Sequence, residues 1–200
     1  VPTYRDLKPA TQAMLESQAF GSPIATLATR VLSANAGATS AAAATVTTFA
    51  AQPDVPRNLT VTPGGTTTDV EACVITISGT NYFGHAISET FTFTADQSSA
   101  VVGNKAFKTV TSVAFPANCE SGGFAATWSV GVGEKIGLKR CMAIAGGWAW
   151  STVAGAYETT RATIAASASA VESNTADFNG PMNGSNAFTG YFVQNFACQP

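Results

Sequence analysis

Between Arg57 and Leu138 apolar and small polar residues alternate with a period of two, and this pattern limits what the chain can fold into. Ile87, Phe91 and Phe93 fall on one side of a segment whose other side is Ser88, Thr90, Thr92 and Thr94. Such a segment buries one face and wets the other, which describes an antiparallel strand. Glu89 interrupts the apolar side and is expected at its solvent edge. Ala106 to Phe115 repeats the pattern with Phe107, Val113 and Phe115, and Phe124, Ala126, Trp128, Val130 and Val132 form the cleanest apolar face. Val70 to Ser78 places Cys73, Ile75 and Ile77 together, followed by a hairpin-like connection from Gly79 to Gly84. Asn58 to Thr62 reads as a short strand closed by a turn at Pro63-Gly64-Gly65. Threonine suits the outer faces because β-branching favours the pleat. The expected fold is mainly β, an antiparallel sandwich or barrel-like module. Its core should hold Ile75, Ile77, Phe91, Phe93, Phe107, Phe115, Trp128 and Val130.

The flanks read differently. Residues 1–53 are expected to form an extended N-terminal arm that neighbouring subunits order. Within it, Pro9 to Phe20 is a short helix candidate, with Pro9 in the first turn and Gly21 as the stop. Residues 54–200 form the β-rich module, of which 141–200 is a C-terminal extension. There Trp148-Ala149-Trp150 and Tyr157 to Ala166 are further strand candidates, Ala166 to Asn186 reads as a long surface loop, and Tyr191 to Phe196 reads as a terminal strand able to close the module or pair with another chain.

Charged residues make up 11% of the chain, against roughly 25% in an average soluble domain. So few charges give little repulsion between copies, which favours self-association. A net charge of −2 offers no footprint for nucleic acid or an anionic membrane. Val1-Pro2-Thr3-Tyr4-Arg5-Asp6 lacks the apolar core of a secretory signal, so none is expected. No apolar run reaches the roughly 18 residues of a membrane-spanning helix. The sequons at Asn58 and Asn183 read as chance matches.

Chemistry-bearing motifs are sparse. The cysteines, Cys73, Cys119, Cys141 and Cys198, form no CxxC pair, and the single histidine, His85, sits in a turn, so no metal site is expected. Cys73 reads as a small buried hydrophobe; Cys119 and Cys198 are the pair open to bridging under oxidising conditions, with free thiols as the other reading. Gly131-Val132-Gly133-Glu134-Lys135-Ile136-Gly137 has the wrong spacing for a dinucleotide loop and reads as a bulged turn. A triad would need His85 with Asp69 or Asp96, and no nucleophile-elbow sequence accompanies them. Glu89, Glu120 and Glu134 include no pair that the sequence places across one cleft. Tyr82, Phe83, Trp148 and Trp150 are candidate sugar-stacking aromatics or, the stronger reading, core residues. No catalytic, cofactor or metal residues are assigned, and the chain is not read as an enzyme.

Five segments together resemble a module recurrent in virion proteins of tailed bacteriophages: Pro53 to Gly65, Ile77 to Asn81, Ile87 to Phe91, Lys105 to Val113 and Val130 to Leu138. The resemblance spans Pro53 to Leu138 and implies a structural particle protein with no catalytic residues to carry over. A capsid decoration, or cement, protein is the leading expectation. It would bind the major capsid protein as a homo-oligomer, with a trimer as the guess, in a virion assembled in the bacterial cytoplasm. A tail-tube or fibre component and a host-surface, glycan-binding virion module are the alternatives.

Overall fold

Alternation becomes strand almost throughout. The computed structural model describes residues 15–35, 42–121, 125–142 and 144–193. In chain order its strands are β1 (Leu15–Gly21), β2 (Leu27–Asn35), β3 (Ala44–Val46), β4 (Arg57–Gly65), β5 (Cys73–Thr80), β6 (Ala86–Phe93), β7 (Val101–Phe107), β8 (Thr109–Phe115), β9 (Ala126–Gly137), β10 (Trp148–Val153), β11 (Ala156–Tyr157), β12 (Thr163–Ala165), β13 (Thr175–Asp177) and β14 (Phe188–Val193). Three short 3-10 turns interrupt them, and among the described residues no helix is long and apolar enough to cross a membrane. The protein is mainly β, and every strand pairing is antiparallel.

The strands form three sheets, ordered β1-β14-β10-β11, β12-β13-β9-β4-β7 with β2 also on β9, and β3-β8-β5-β6. The second and third sheets enclose the larger core. It contains all eight residues expected there, Ile75, Ile77, Phe91, Phe93, Phe107, Phe115, Trp128 and Val130, each essentially sealed from solvent. Trp128 meets Phe93 edge-on at 4.8 Å between ring centroids, a geometry that sets the positive ring edge against the negative face. A second core lies between the first sheet and the far end of β9, where Ile136, Leu138, Phe178, Phe188, Phe192 and Trp148 pack together. β9 has 12 residues, about 40 Å of extended chain, and so serves both cores.

Several expectations change. Leu15 to Phe20, the second half of the helix candidate, is strand: Gln18 and Phe20 point inward, and β1 pairs with β14 from Leu15↔Val193 to Ala19↔Thr189. Inter-strand bonding outweighs the weak propensity of a marginal helix; residues 9–14 lie outside the described residues. Residues 15–35 of the expected arm are therefore built into the fold, since β2 pairs with β9 and buries Val31 and Leu32 in the larger core. The turn at Pro63-Gly64-Gly65 is instead the end of β4, paired with Trp128, Thr127 and Ala126. Ala106 to Phe115 divides at Lys108 into β7 and β8, which lie in different sheets. The expected loop over 166–186 contains β13, a buried strand between β12 and β9. Tyr191 to Val193 lies in β14, which has β1 on one side and β10 on the other, so it offers no free edge. Phe124 and residues 194–196 lie outside the described residues.

Cys73 and Cys119 are joined by a disulfide across a sequence separation of 46, which corrects the reading of Cys73 as a lone hydrophobe and of Cys119 as a partner for Cys198. Sheet pairing brings the two Cα atoms to 5.3 Å, within bridging range. Cys141 is also disulfide-bonded, and Cys198 lies outside the described residues. Two outcomes follow. Phe91→Ala or Phe93→Ala is expected to cost about 3–5 kcal/mol, read as a lower unfolding midpoint; an unchanged midpoint would mean the rings do not share this core. Replacing Cys73 and Cys119 together by serine is expected to lose about 2–4 kcal/mol in denaturant titration, and equal stability to the parent would contradict a structural role for the bridge.

Candidate functional site

Arg57 and Asn58 are both fully buried at the start of β4, and both are bonded through their side chains. Arg57 donates through Nε to the Gly133 carbonyl at 2.7 Å and through Nη1 to the Ile24 carbonyl at 3.0 Å. Its Nη1 also pairs with Asp54 at 3.2 Å, and its Nη2 reaches Gly133 and the Met182 sulfur. Burial lowers the guanidinium pKa, and the Asp54 carboxylate opposes that shift. One planar fork thus ties together the β1–β2 connection, β4, β9 and the chain around Met182.

Asn58 does a related job. The β4 ladders shift register around it on both sides, and its side chain replaces the lost ladder bonds. Nδ2 donates to the Gly103 carbonyl, and Oδ1 accepts from the Lys135 amide, each at 2.9 Å. A Cβ at Gly133 would stand 2.5 Å from this amide, so β9 has glycine there for close approach. The sequence between Gly131 and Gly137 is therefore mid-strand, and not the bulged turn it resembles. Asn58 has no exposed surface in the folded chain, so its sequon is closed to modification.

The acidic candidates are dispersed. The Glu89 carboxylate accepts the Asn104 and Lys105 amides, at 2.7 and 3.3 Å, and so satisfies donors of β7 where β6 passes it. Glu120 is buried beside Asp69 with its Oε1 unpaired; burial, and then the Asp69 charge, raise its pKa. Glu134 lines a cleft of about 340 Å³ with Asp177, whose carboxyl is raised by burial and then by Glu134, against the opposing charge of Lys135. Asp69 is bonded to the Ser121 hydroxyl and the Ala125 amide. His85 bonds through its backbone to Asn81, and its ring lies 6.4 Å from that of Phe83. Among the described residues, no three His, Cys, Asp or Glu side chains gather as a metal ligand set.

The aromatic candidates separate sharply. Trp148 is sealed in the second core, stacked on Phe192. Tyr82 and Phe83 are half-buried and pack edge to face. Trp150 is 38% exposed and stacks on Tyr191, with ring centroids 4.8 Å apart and planes 23° apart. The two residues are register partners on β10 and β14. The same outer face carries Leu15, Ser17 and Ala19 of β1, Thr189 and Val193 of β14, Thr152 of β10 and, opposite Thr152, Tyr157 of β11. Tyr157 is 72% exposed. Among the described residues, no Lys, Arg, Asp or Glu occupies a register position on this face. Phe188 and Phe192 point inward between its residues, an alternation legible in the chain, but Tyr157 carried no such signal. This open face is the strongest candidate for contact with another molecule, because exposed aromatic clusters mark binding surfaces.

No family model matches the chain, and no curated protein or solved structure matches it either.

Glu120 carries a pH prediction. A carboxyl raised in the folded state holds its proton more tightly there than in the unfolded chain, so stability falls as pH rises from the ordinary carboxylate value through the raised one. Glu120→Gln is expected to be more stable than the parent at pH 7, with the difference closing below pH about 4. A thermal-melt difference independent of pH would contradict this.

Proposed function

We propose that this chain is a structural component of a tailed-bacteriophage particle, specifically a capsid decoration protein. It reinforces the head by bridging major capsid protein subunits, as a homo-oligomer for which a trimer is the expected state. The observation that carries the reading is the organisation of residues 53–138. The segments that resemble a phage virion module lie on β4 to β9, around one core, and buried polar residues within them join its strands. Arg57 and Asn58 lock β4, Gly133 admits Asn58, and Glu89 joins β6 to β7.

Such a unit suits passive load-bearing. Its buried polar groups hold strands together, and a disulfide staples β5 to the connection before β9. Leu27, Val74 and Val102 present isolated apolar side chains at its surface for contact with neighbours. A few hundred Å² of apolar contact, at roughly 25 cal/mol per Å², supplies several kcal/mol before ordering costs. Repetition over a symmetric shell turns weak contacts into strong retention.

The test compares particles assembled with and without the protein. Heads lacking it are expected to form, yet to release DNA at lower temperature or milder osmotic stress than complete heads. Heads of equal stability that lack tails or fail to adsorb would replace this reading with a tail, fibre or host-binding role.

A further inference from the structure

We propose that the outer face of the sheet β1-β14-β10-β11 is a binding site for a neutral glycan, whose sugar rings stack on Trp150 and Tyr157. The site lies outside the stretch that resembles the virion module, and the inference does not depend on where the protein is mounted.

Ring placement is the first support. Trp150 stacks on Tyr191 of one neighbouring strand, and β11 is the other neighbour of β10. On β11, Tyr157 stands opposite Thr152, two positions along from Trp150, so Trp150 and Tyr157 are diagonal neighbours. Diagonal positions in an antiparallel pair are about 7–8 Å apart. Two exposed aromatics at this spacing lie within the length of a short oligosaccharide, so successive sugar rings can stack on them. The C–H groups of a pyranose carry partial positive charge and match the negative face of an indole or phenol. Tyr191 supports Trp150 from behind and restricts its rotamers, which lowers the ordering cost of binding.

Electrostatics and area narrow the occupant. Ser17, Thr152, Thr189 and the tyrosine hydroxyls can each donate and accept, as sugar hydroxyls require. Among the described residues no Lys, Arg, Asp or Glu holds a register position on the face, so none of them there would pair a sulfated or carboxylated sugar. The face measures on the order of 300 Å² from strand spacing and rise. A stable protein interface buries about 800 Å² on each partner. A short oligosaccharide fits this footprint, and a second folded chain does not.

The chain has three tryptophans, of which Trp128 and Trp148 are buried and Trp150 is open, so tryptophan emission reports this face. The intact protein would be titrated with neutral hexasaccharides, β-1,4-glucose, α-1,4-glucose and β-1,4-N-acetylglucosamine, and separately with heparin. At least one neutral probe is expected to shift the emission saturably, with heparin weaker. Because Trp150→Ala also removes the reporter, affinities of variants are read by calorimetry. Trp150→Ala and Tyr157→Ala should each weaken binding by about tenfold or more, while Thr92→Ala, exposed on the other lobe, leaves it unchanged. Failure of every neutral probe, tighter binding of heparin, or full affinity in both aromatic variants would overturn the proposal. So would concentration-dependent self-association that Trp150→Ala abolishes, which would assign the face to a second copy of the chain.

Discussion

The pairing of β4 with β9 is the constraint on which the rest of the structure depends. β9 pairs with β4 from Arg57↔Ile136 to Gly65↔Ala126, and it also carries β2 and β13. Its earlier residues, Ala126, Trp128, Val130 and Val132, fill the core between the second and third sheets, and Ile136 reaches the core beneath the first. One strand therefore sets the positions of both lobes. A slip of one residue would turn Trp128 and Val130 outward and expose glycines and polar residues to the core.

That register is held by buried polar groups as much as by apolar ones. Arg57 and Asn58 are costly to bury, and each is repaid only because its donors and acceptors find partners on strands that must be in register to supply them. Removing one partner would leave the other unpaired in a dry interior, which makes such residues specific for a single arrangement. Gly133 belongs to the same lock, because a side chain there would displace the Asn58 amide.

The two lobes divide the functional readings. The sandwich around the larger core, on which the proposed structural role rests, presents scattered apolar side chains. The smaller lobe is assembled from β1, the end of β9 and residues after 141, and among the described residues it presents one face without charged side chains and with exposed aromatic rings.

Local pattern alone determined the strand character of β4 to β9 and the eight large residues of the main core, because period-two alternation states directly which side chains share a face. It also determined the low charge of the surface. Only the tertiary structure decided the rest. Leu15 to Phe20 is strand because β14 pairs with it, and Thr175 to Asp177 is buried because β12 and β9 flank it; neither partner is near in sequence. Cys73 meets Cys119 through sheet pairing, which spacing cannot reveal. Trp148 and Trp150 look equivalent in the chain, but the register shift between them in β10 changes the facing of the strand relative to β14. Trp148 sits in the core and Trp150 on the open face, beside a Tyr157 brought there by the β10–β11 turn. The candidate site is formed by side chains from separate segments meeting on one sheet, and no single stretch of sequence contains it.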